Sequence, residues 1–216
     1  GPSMRHYFDE VSYNTLDVLT NHFPLPEDEN VISYQDDHPR NYYEPYNETT
    51  NPDGYANDGQ RTQREHTLLK SAIDFIADQV STDLVIDGDN DNLVDNVTFL
   101  VYGSPGAWAD LLWPHRWVLS SFDVRINNKR VWDYNFNLAT GGYFTVGTLC
   151  HEFFHSLGAP DLYHYYADGA PVACGGWDVM DGSNDPPQYM GAFMKAKYGH
   201  WIEDNNNDGI SDENDI

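Results

Sequence analysis

Apolar side chains recur every three or four residues along one stretch of the chain, which is the spacing of a buried helix face. This spacing predicts a helix over 65–80. Two further helices are predicted, one over 145–157 that stops at Gly158 and one over 188–198. The apolar positions of the first helix are Leu68, Leu69, Ala72, Ile73, Ile76 and Val80.

Runs of β-branched and aromatic residues predict the strands. The predicted strands are 97–102, 117–119, 122–126 and 131–134. Asn127-Asn128 is expected to form the turn between two of them. The first 60 or so residues are polar, aromatic and interrupted by prolines, so we expect loops there, with one or two short strands such as Thr15–Val18.

The helix over 145–157 contains His151-Glu152-Phe153-Phe154-His155. Residues four apart lie on one helix face, so the two imidazoles can bind one metal ion, with Glu152 beside an open coordination position. Neutral imidazole is a good zinc ligand, and catalytic zinc takes three protein ligands and one water. The alternative is a helix that contains both histidines for structural reasons.

Residues that follow this helix favour the zinc site. Gly158 can adopt the left-handed conformation that ends a helix and reverses the chain, which brings Asp161 back toward the metal as a third ligand. The segment 175–181 then contains Met180, whose thioether can form an apolar floor beneath the imidazoles. A methionine that fills an ordinary gap in the core is the alternative for Met180.

With these residues the chain resembles the immune inhibitor A family of secreted metallopeptidases, within the metzincin group. The resemblance lies in 151–163 (HEFFHSLGAPDLY) and 176–180 (GWDVM), with weaker support at 113–117, 51–55 and 7–13. It implies an α+β, metzincin-like catalytic domain, in which a twisted mixed sheet, a backing helix and an active-site helix precede a smaller C-terminal part. Members of this family typically have an N-terminal propeptide and further C-terminal domains, so the chain is expected to be an excised catalytic core.

The resemblance also implies a domain organisation. Residues 4–202 are expected to form the catalytic domain, with an upper part at 4–158 and a lower part at 159–202. Residues 1–3 look like a remnant of tag removal, and 203–216 form an acidic tail. Secretion is implied, with the export signal and propeptide expected to be missing from the chain as given.

The implied activity is zinc-dependent hydrolysis of peptide bonds in protein or peptide substrates. Glu152 is expected to act as general base, taking a proton from the zinc-bound water and passing it to the leaving amine. Metzincins often have an oxyanion-stabilising tyrosine near the methionine turn, and Tyr189 is the nearest by position, with a purely structural role as its alternative. The substrate is expected to lie as an extra strand on an exposed sheet edge between Trp117 and Tyr134.

Two acidic segments predict calcium loops, because Ca²⁺ prefers six to eight oxygen ligands from a tightly curved segment. In the first loop, Asn92 occupies a position that needs a left-handed backbone. Its predicted ligands are Asp87, Asp89, Asp91 and Asp95. The second loop, in the tail, matches an EF-hand pattern in which aspartate replaces the last glutamate; its predicted ligands are Asp204, Asn206, Asp208, Asp212 and Asp215. A solvated turn and a frayed terminus are the alternatives.

Composition narrows the function classes. The 216 residues are 40% hydrophobic and 14% aromatic, which is too rich in core-forming residues for a disordered chain. Lys and Arg number 11 against 35 Asp and Glu, and the net charge of −24 repels phosphate backbones and anionic lipids. We therefore expect no nucleic-acid or membrane partner, and a monomer. Cys150 and Cys174 can form one disulfide or remain two thiols.

A calcium-dependent adhesion or scaffold module with a vestigial zinc site is the alternative function. Glu152 favours the enzyme, because a vestigial site has no reason to retain the base between two intact histidines.

Overall fold

The computed structural model describes residues 3–107, 110–165, 169–203 and 205. The chain divides into two compact units: the first unit is Gly1–Thr20 with Gly142–Ile216, and the second unit is Asn21–Gly141. The expected boundary between 158 and 159 is a different division and stays a prediction. The fold is α+β. Among the described helices, none is both long and apolar enough to cross a membrane.

The described elements occur in the following order. The helices are α1 (Met4–Val11), α2 (Asp58–Ile76), α3 (Val146–Ser156) and α4 (Ala192–Met194), with a π-helical turn at Lys195–Gly199 directly after α4. The strands are β1 (Val97–Val101), β2 (His115–Val118), β3 (Arg125–Ile126), β4 (Lys129–Arg130) and β5 (Asp133–Leu138). Short 3₁₀ turns lie at Arg40–Tyr43, Ala77–Gln79 and Gly141–Tyr143.

The second unit contains a three-stranded sheet in the order β1-β5-β2. The central strand β5 is parallel to β1 and antiparallel to β2. Every residue of β5 is buried, and Tyr134, Phe136 and Leu138 are completely enclosed in the core. The strand prediction at 131–134 stopped too early, because Asn135 and Asn137 look like turn residues although the structure buries both.

Helix α2 begins earlier than predicted. The Asn57 side chain caps it by accepting a hydrogen bond from the Gln60 N–H (3.0 Å), and this N-cap precedes two polar turns that have no apolar periodicity. The predicted apolar face is present further along, where Leu69 and Ile73 are buried. The helix ends at Ile76 and passes into the 3₁₀ turn.

A two-residue turn connects β3 and β4. Asn127 and Asn128 have φ values of 48° and 67°, which the short polar side chain of asparagine tolerates. Ile126 pairs with Lys129 across the turn, so the predicted turn is confirmed. The strand expected at 122–126 shortens to Arg125–Ile126.

In the first unit, α1 packs against α3. The sequence prediction missed α1, because its polar residues hide a short amphipathic helix. Ser3 caps the helix by accepting a hydrogen bond from the His6 N–H (3.2 Å), and Tyr7, Phe8 and Val11 are buried. The strand expected at Thr15–Val18 does not form.

The helix expected at 188–198 is also shorter than predicted. Helical structure begins only at Ala192 and continues as the π-helical turn to Gly199. The preceding residues are held by the loop around Met180: the Val179 N–H donates to the Tyr189 carbonyl (3.2 Å), and the Gly191 N–H donates to the Asp178 carboxylate (2.6 Å). These bonds hold 188–191 outside the helix.

Candidate metal centre

Helix α3 is defined by a cap at each end. Thr145 accepts a hydrogen bond from the Thr148 N–H (3.0 Å) at its start. At its end Gly158 has φ +98°, and the Ala159 N–H donates back to the Phe154 carbonyl (3.2 Å). The expected left-handed reversal at Gly158 is therefore present, and it directs the following residues back toward the helix.

The reversal brings together one atom from each predicted zinc ligand. Oδ1 of Asp161 lies 2.9 Å from Nε2 of His151 and 3.4 Å from Nε2 of His155. The three candidate ligand atoms lie within 4.8 Å of one another, and all three side chains are largely shielded from solvent. A single ion can contact all three.

Backbone carbonyls fix the orientation of both imidazoles. Nδ1 of His151 lies 2.8 Å from the Val179 carbonyl, and Nδ1 of His155 lies 2.7 Å from the Ala159 carbonyl. A carbonyl oxygen only accepts hydrogen bonds, so each Nδ1 has the proton and donates it. Each neutral ring then presents the lone pair of Nε2 to the cluster, which is the tautomer that a metal requires.

The donor set fits a cation. Oδ1 of Asp161 is buried and accepts no hydrogen bond, because its close contact with His151 does not have hydrogen-bond geometry. Two imidazole lone pairs and one carboxylate oxygen facing one another repel unless a positive charge lies among them. Two nitrogens and one oxygen are ligands that zinc accepts in catalytic sites.

The ligands also set one another's protonation. Burial raises the pKa of Asp161, but the two imidazoles outweigh it and hold that pKa well below its ordinary value. Burial lowers the pKa of His151, but the carboxylates of Asp161 and Glu152 outweigh it and leave that pKa raised. The cluster is therefore an acidic environment that attracts positive charge.

Two tyrosines contact this cluster. The Tyr165 hydroxyl donates a hydrogen bond to Oδ2 of Asp161. The Tyr163 ring is parallel to the His151 imidazole (6.3 Å between centroids, 18° between planes), and it meets the Tyr165 ring edge to face at 5.1 Å. Sequence reasoning missed Tyr165, for which the available signal was a second aromatic residue soon after Asp161.

The loop around Met180 contacts His151 and also the segment that contains Asp161. Its Val179 carbonyl holds His151, and the Leu162 N–H donates to the Met180 carbonyl (2.9 Å) beside the third ligand. The Met180 side chain is completely buried in the core that contains Phe154. Its predicted position as a floor beneath the imidazoles stays a prediction.

A buried carboxylate that sequence reasoning missed organises this loop. Oδ1 of Asp178 accepts a hydrogen bond from the Met180 N–H (2.9 Å), and Oδ2 accepts one from the Gly191 N–H (2.6 Å). The Gln188 amide donates to the Asp178 carbonyl (3.2 Å). Asp178 thus connects residues 188–191 with the loop around Met180, which orients His151.

The remaining catalytic predictions concern Glu152 and Tyr189. Glu152 is buried next to His151 on α3, and its charge acts on both His151 and Tyr163. The Tyr189 hydroxyl donates to the Glu10 carboxylate of α1, and its ring is half exposed. The general-base role of Glu152 and the oxyanion role of Tyr189 both stay predictions.

Cys150 and Cys174 are free thiols, so the disulfide alternative was wrong. Cys150 is completely buried in the core between α1 and α3, whereas Cys174 is partly exposed in the loop before Trp177. Burial raises the pKa of the Cys150 thiol, which makes it a structural group.

The first predicted calcium loop forms part of a second cluster. Asp87, Asp89 and Asp95 each offer an oxygen within 4.8 Å of the others, and Asn92 has the expected left-handed conformation, with φ +71°. Asp91 is not in this group, and its Oδ1 accepts a hydrogen bond from the Leu93 N–H (2.7 Å).

A lysine already contacts this acidic cluster. Nζ of Lys129 lies 2.5 Å from Oδ2 of Asp87. Calcium at this loop stays a prediction. The tail loop of Asp204, Asn206, Asp208, Asp212 and Asp215 lies outside the described residues.

Comparison with known proteins finds a distant relative of the chain. No family profile matches the chain. The chain is similar to Immune inhibitor A of Bacillus thuringiensis subsp. alesti, with 26% identity over 191 residues. The match covers 68% of this chain and 27% of that protein, so the chain spans about a quarter of the length of its relative. This distant similarity is to a protein of the family that the sequence motifs resemble.

Proposed function

We propose that the chain is the catalytic part of a secreted zinc endopeptidase. The observation that carries the proposal is the convergence of three ligand atoms from His151, His155 and Asp161 within 4.8 Å, with both imidazoles already in the metal-binding tautomer. The distant similarity to Immune inhibitor A supports the same activity and the secreted setting. The net charge of −24 suits an extracellular, calcium-rich or saline medium.

His151, His155 and Asp161 would hold the zinc ion, and the ion would lower the pKa of a bound water and polarise the carbonyl of the scissile bond. The protein provides the rest. The carbonyls of Val179 and Ala159 keep the two rings from rotating, so the ligand set is already in place before a metal binds.

Glu152 is the proposed general base. It follows His151 directly on α3, and its side chain is 6% exposed, so its carboxylate acts in a site from which most water is excluded. Glu152 takes a proton from the attacking water and delivers it to the leaving amine. One carboxylate can perform both steps because it is a base before the attack and an acid after it.

Peptide substrates are proposed to add as a strand to an exposed sheet edge. What supports this is the place of β2 at one edge of the described sheet, with the Trp117 side chain 57% exposed. A Trp117→Ala variant is expected to raise KM more than it lowers kcat, whereas equal KM values would argue against β2.

The decisive experiment measures zinc content and casein cleavage for the wild type and for Glu152→Gln. We expect one zinc per chain in both proteins and a loss of cleavage of at least about 100-fold in the variant, because the ligands remain and the base is removed. Glu48→Gln, in an exposed loop, is the matched control and should cleave like the wild type.

Full activity in Glu152→Gln, or a wild type without stoichiometric zinc, would overturn the proposal. A wild type that binds zinc but cleaves nothing would favour the alternative, a calcium-dependent adhesion or scaffold module with a vestigial zinc site.

A further inference from the structure

The two oxygens of the Asp161 carboxylate have different surroundings. Oδ1 faces Nε2 of His151 and Nε2 of His155, and it accepts no hydrogen bond. Oδ2 accepts the hydroxyl proton of Tyr165, four residues along the chain. The carboxylate is thus divided into one oxygen that faces the candidate metal position and one that faces a phenol.

We propose that Tyr165 is a positioning residue that keeps Asp161 a one-oxygen ligand of the metal. The proposal rests on the proposed zinc site and deepens it. A carboxylate with both oxygens available can bind zinc through both, which raises the coordination number and fills the position needed by water. A hydroxyl on Oδ2 opposes that rotation and holds the carboxylate in the orientation in which Oδ1 faces the metal position, so the ligand is oriented before the metal binds.

The surroundings of Tyr165 support a positioning role over a structural one. Its ring is 48% exposed, so it contributes little to the buried core. Its described ring contact is with Tyr163, which in turn lies parallel to the His151 imidazole. Both tyrosines therefore contact ligands of the cluster. Tyr165 does so through its hydroxyl, and Tyr163 does so through its ring face on His151 and through its own hydroxyl, which also acts on the Asp161 carboxylate.

The test uses Tyr165→Phe, which keeps the ring and removes only the hydroxyl. Its zinc dissociation constant is measured by competition with a chromophoric chelator. We expect zinc to bind about 10 to 100 times more weakly than in the wild type, the usual effect of removing a hydrogen-bond partner of a metal ligand. The matched control is Tyr102→Phe, at a tyrosine that is 87% exposed in the second unit, and it should leave the constant unchanged.

A second readout reports geometry directly. Cobalt(II) replaces zinc in the wild type and in Tyr165→Phe, and the visible absorption is recorded without substrate. A four-coordinate cobalt site absorbs more strongly than a five-coordinate one. We expect the wild type to show the strong four-coordinate spectrum and Tyr165→Phe to show a weaker one, because the Tyr165 hydroxyl no longer holds Oδ2 away from the metal.

Equal zinc constants and equal cobalt spectra in the two proteins would overturn the inference while leaving the proposed enzyme intact. A metal-free Tyr165→Phe protein that melts well below the wild type, with an unchanged cobalt spectrum, would also overturn it, by placing the role in folding. A wild type that binds no zinc would instead overturn the proposed function itself.

Discussion

Two clusters of candidate metal ligands differ in which of their nitrogen and oxygen atoms already have hydrogen-bond partners. In the cluster of His151, His155 and Asp161, carbonyls and a phenol hold the outward atoms, and the inward atoms face one another. In the cluster of Asp87, Asp89 and Asp95, the carboxylates accept hydrogen bonds from N–H groups of their own loop and from Lys129. The first arrangement leaves three ligand atoms available to a cation, whereas the carboxylates of the second already have hydrogen-bond donors.

The same contrast separates two kinds of histidine. His115 has its Nδ1 at 2.6 Å from the Trp113 carbonyl and its Nε2 at 2.6 Å from Oε1 of Glu65. Both nitrogens donate, which requires the charged imidazolium and leaves no lone pair for a metal. His151 donates through Nδ1 alone. Nε2 of each histidine lies near a carboxylate oxygen, but only the contact between His115 and Glu65 has hydrogen-bond geometry. That geometry distinguishes a structural histidine from a candidate ligand.

The largest expected effect comes from removing one ligand of the first cluster. His151→Ala should lose stoichiometric zinc and reduce cleavage by more than about 100-fold, since a ligand matters more than its hydrogen-bond partner. Zinc is measured by mass spectrometry of the metal and cleavage with casein. His22→Ala, at an exposed histidine, and Asp89→Ala, in the acidic cluster, should both keep one zinc per chain. Zinc retained in His151→Ala would remove the distinction between the clusters.

Next in size is the loop that orients His151. Asp178→Ala leaves the Met180 and Gly191 N–H groups without their carboxylate, at a cost of about 3 kcal/mol in the free energy of unfolding. Asp178→Asn retains one acceptor oxygen and should lose less. Urea denaturation of the metal-free proteins measures both values. An unchanged unfolding free energy in Asp178→Ala would show that the loop does not depend on this carboxylate.

The structural histidine gives a smaller, pH-dependent effect. Burial raises the pKa of Glu65, but the hydrogen bond and charge of His115 and the hydrogen bond of Tyr134 outweigh it, and the pKa is lowered. A lowered folded-state pKa stabilises the protein above the ordinary glutamate pKa of about 4.3, and this stabilisation is lost as the pH falls through the folded-state value.

The corresponding variant is Glu65→Gln. At pH 7 it should be less stable than the wild type by roughly 2 kcal/mol, because Gln cannot replace a charged acceptor. The difference should shrink as the pH falls from about 4.3, where Glu65 of the unfolded chain binds a proton, toward the lowered pKa of Glu65 in the folded protein. Urea denaturation across this range measures it. A difference that grows in acid would contradict the charged pair, and the zinc content at pH 7 should be the same in Glu65→Gln as in the wild type.

The smallest expected effect concerns the acidic cluster. If Asp87, Asp89 and Asp95 bind calcium, excess Ca²⁺ should raise the melting temperature by about 2–4 °C for each kcal/mol of binding energy, and EGTA should reverse the rise. Lys129→Gln removes the competing ammonium and should enlarge the rise. If neither calcium nor EGTA changes the melting temperature of the wild type or of Lys129→Gln, the cluster does not bind calcium and is a solvated turn.

The sequence predicts those parts of the molecule that depend on neighbouring residues. The spacing within α3, the left-handed Gly158 and the Asn127-Asn128 turn all follow from local preferences, and the structure contains them. The prediction failed where distant contacts decide. Asn137 is buried in β5 although its type favours a loop, and 188–191 stay outside the helix because Asp178 holds them.

For the site, the sequence predicts the three ligands but not the groups that orient them. Val179 and Ala159 act through backbone carbonyls, which every residue has, so their types give no signal. Asp178 and Tyr165 have informative side chains, but their partners depend on how loops fold, and one sequence does not specify this.

The strand order β1-β5-β2 has a consequence for synthesis of the chain. β1 and β2 do not pair with each other among the described residues, and each uses β5 as its partner. β5 is the last strand of this described sheet to leave the ribosome, so β1 and β2 remain without their described ladders until Leu138 has emerged. A truncation before Asp133 therefore removes both ladders together.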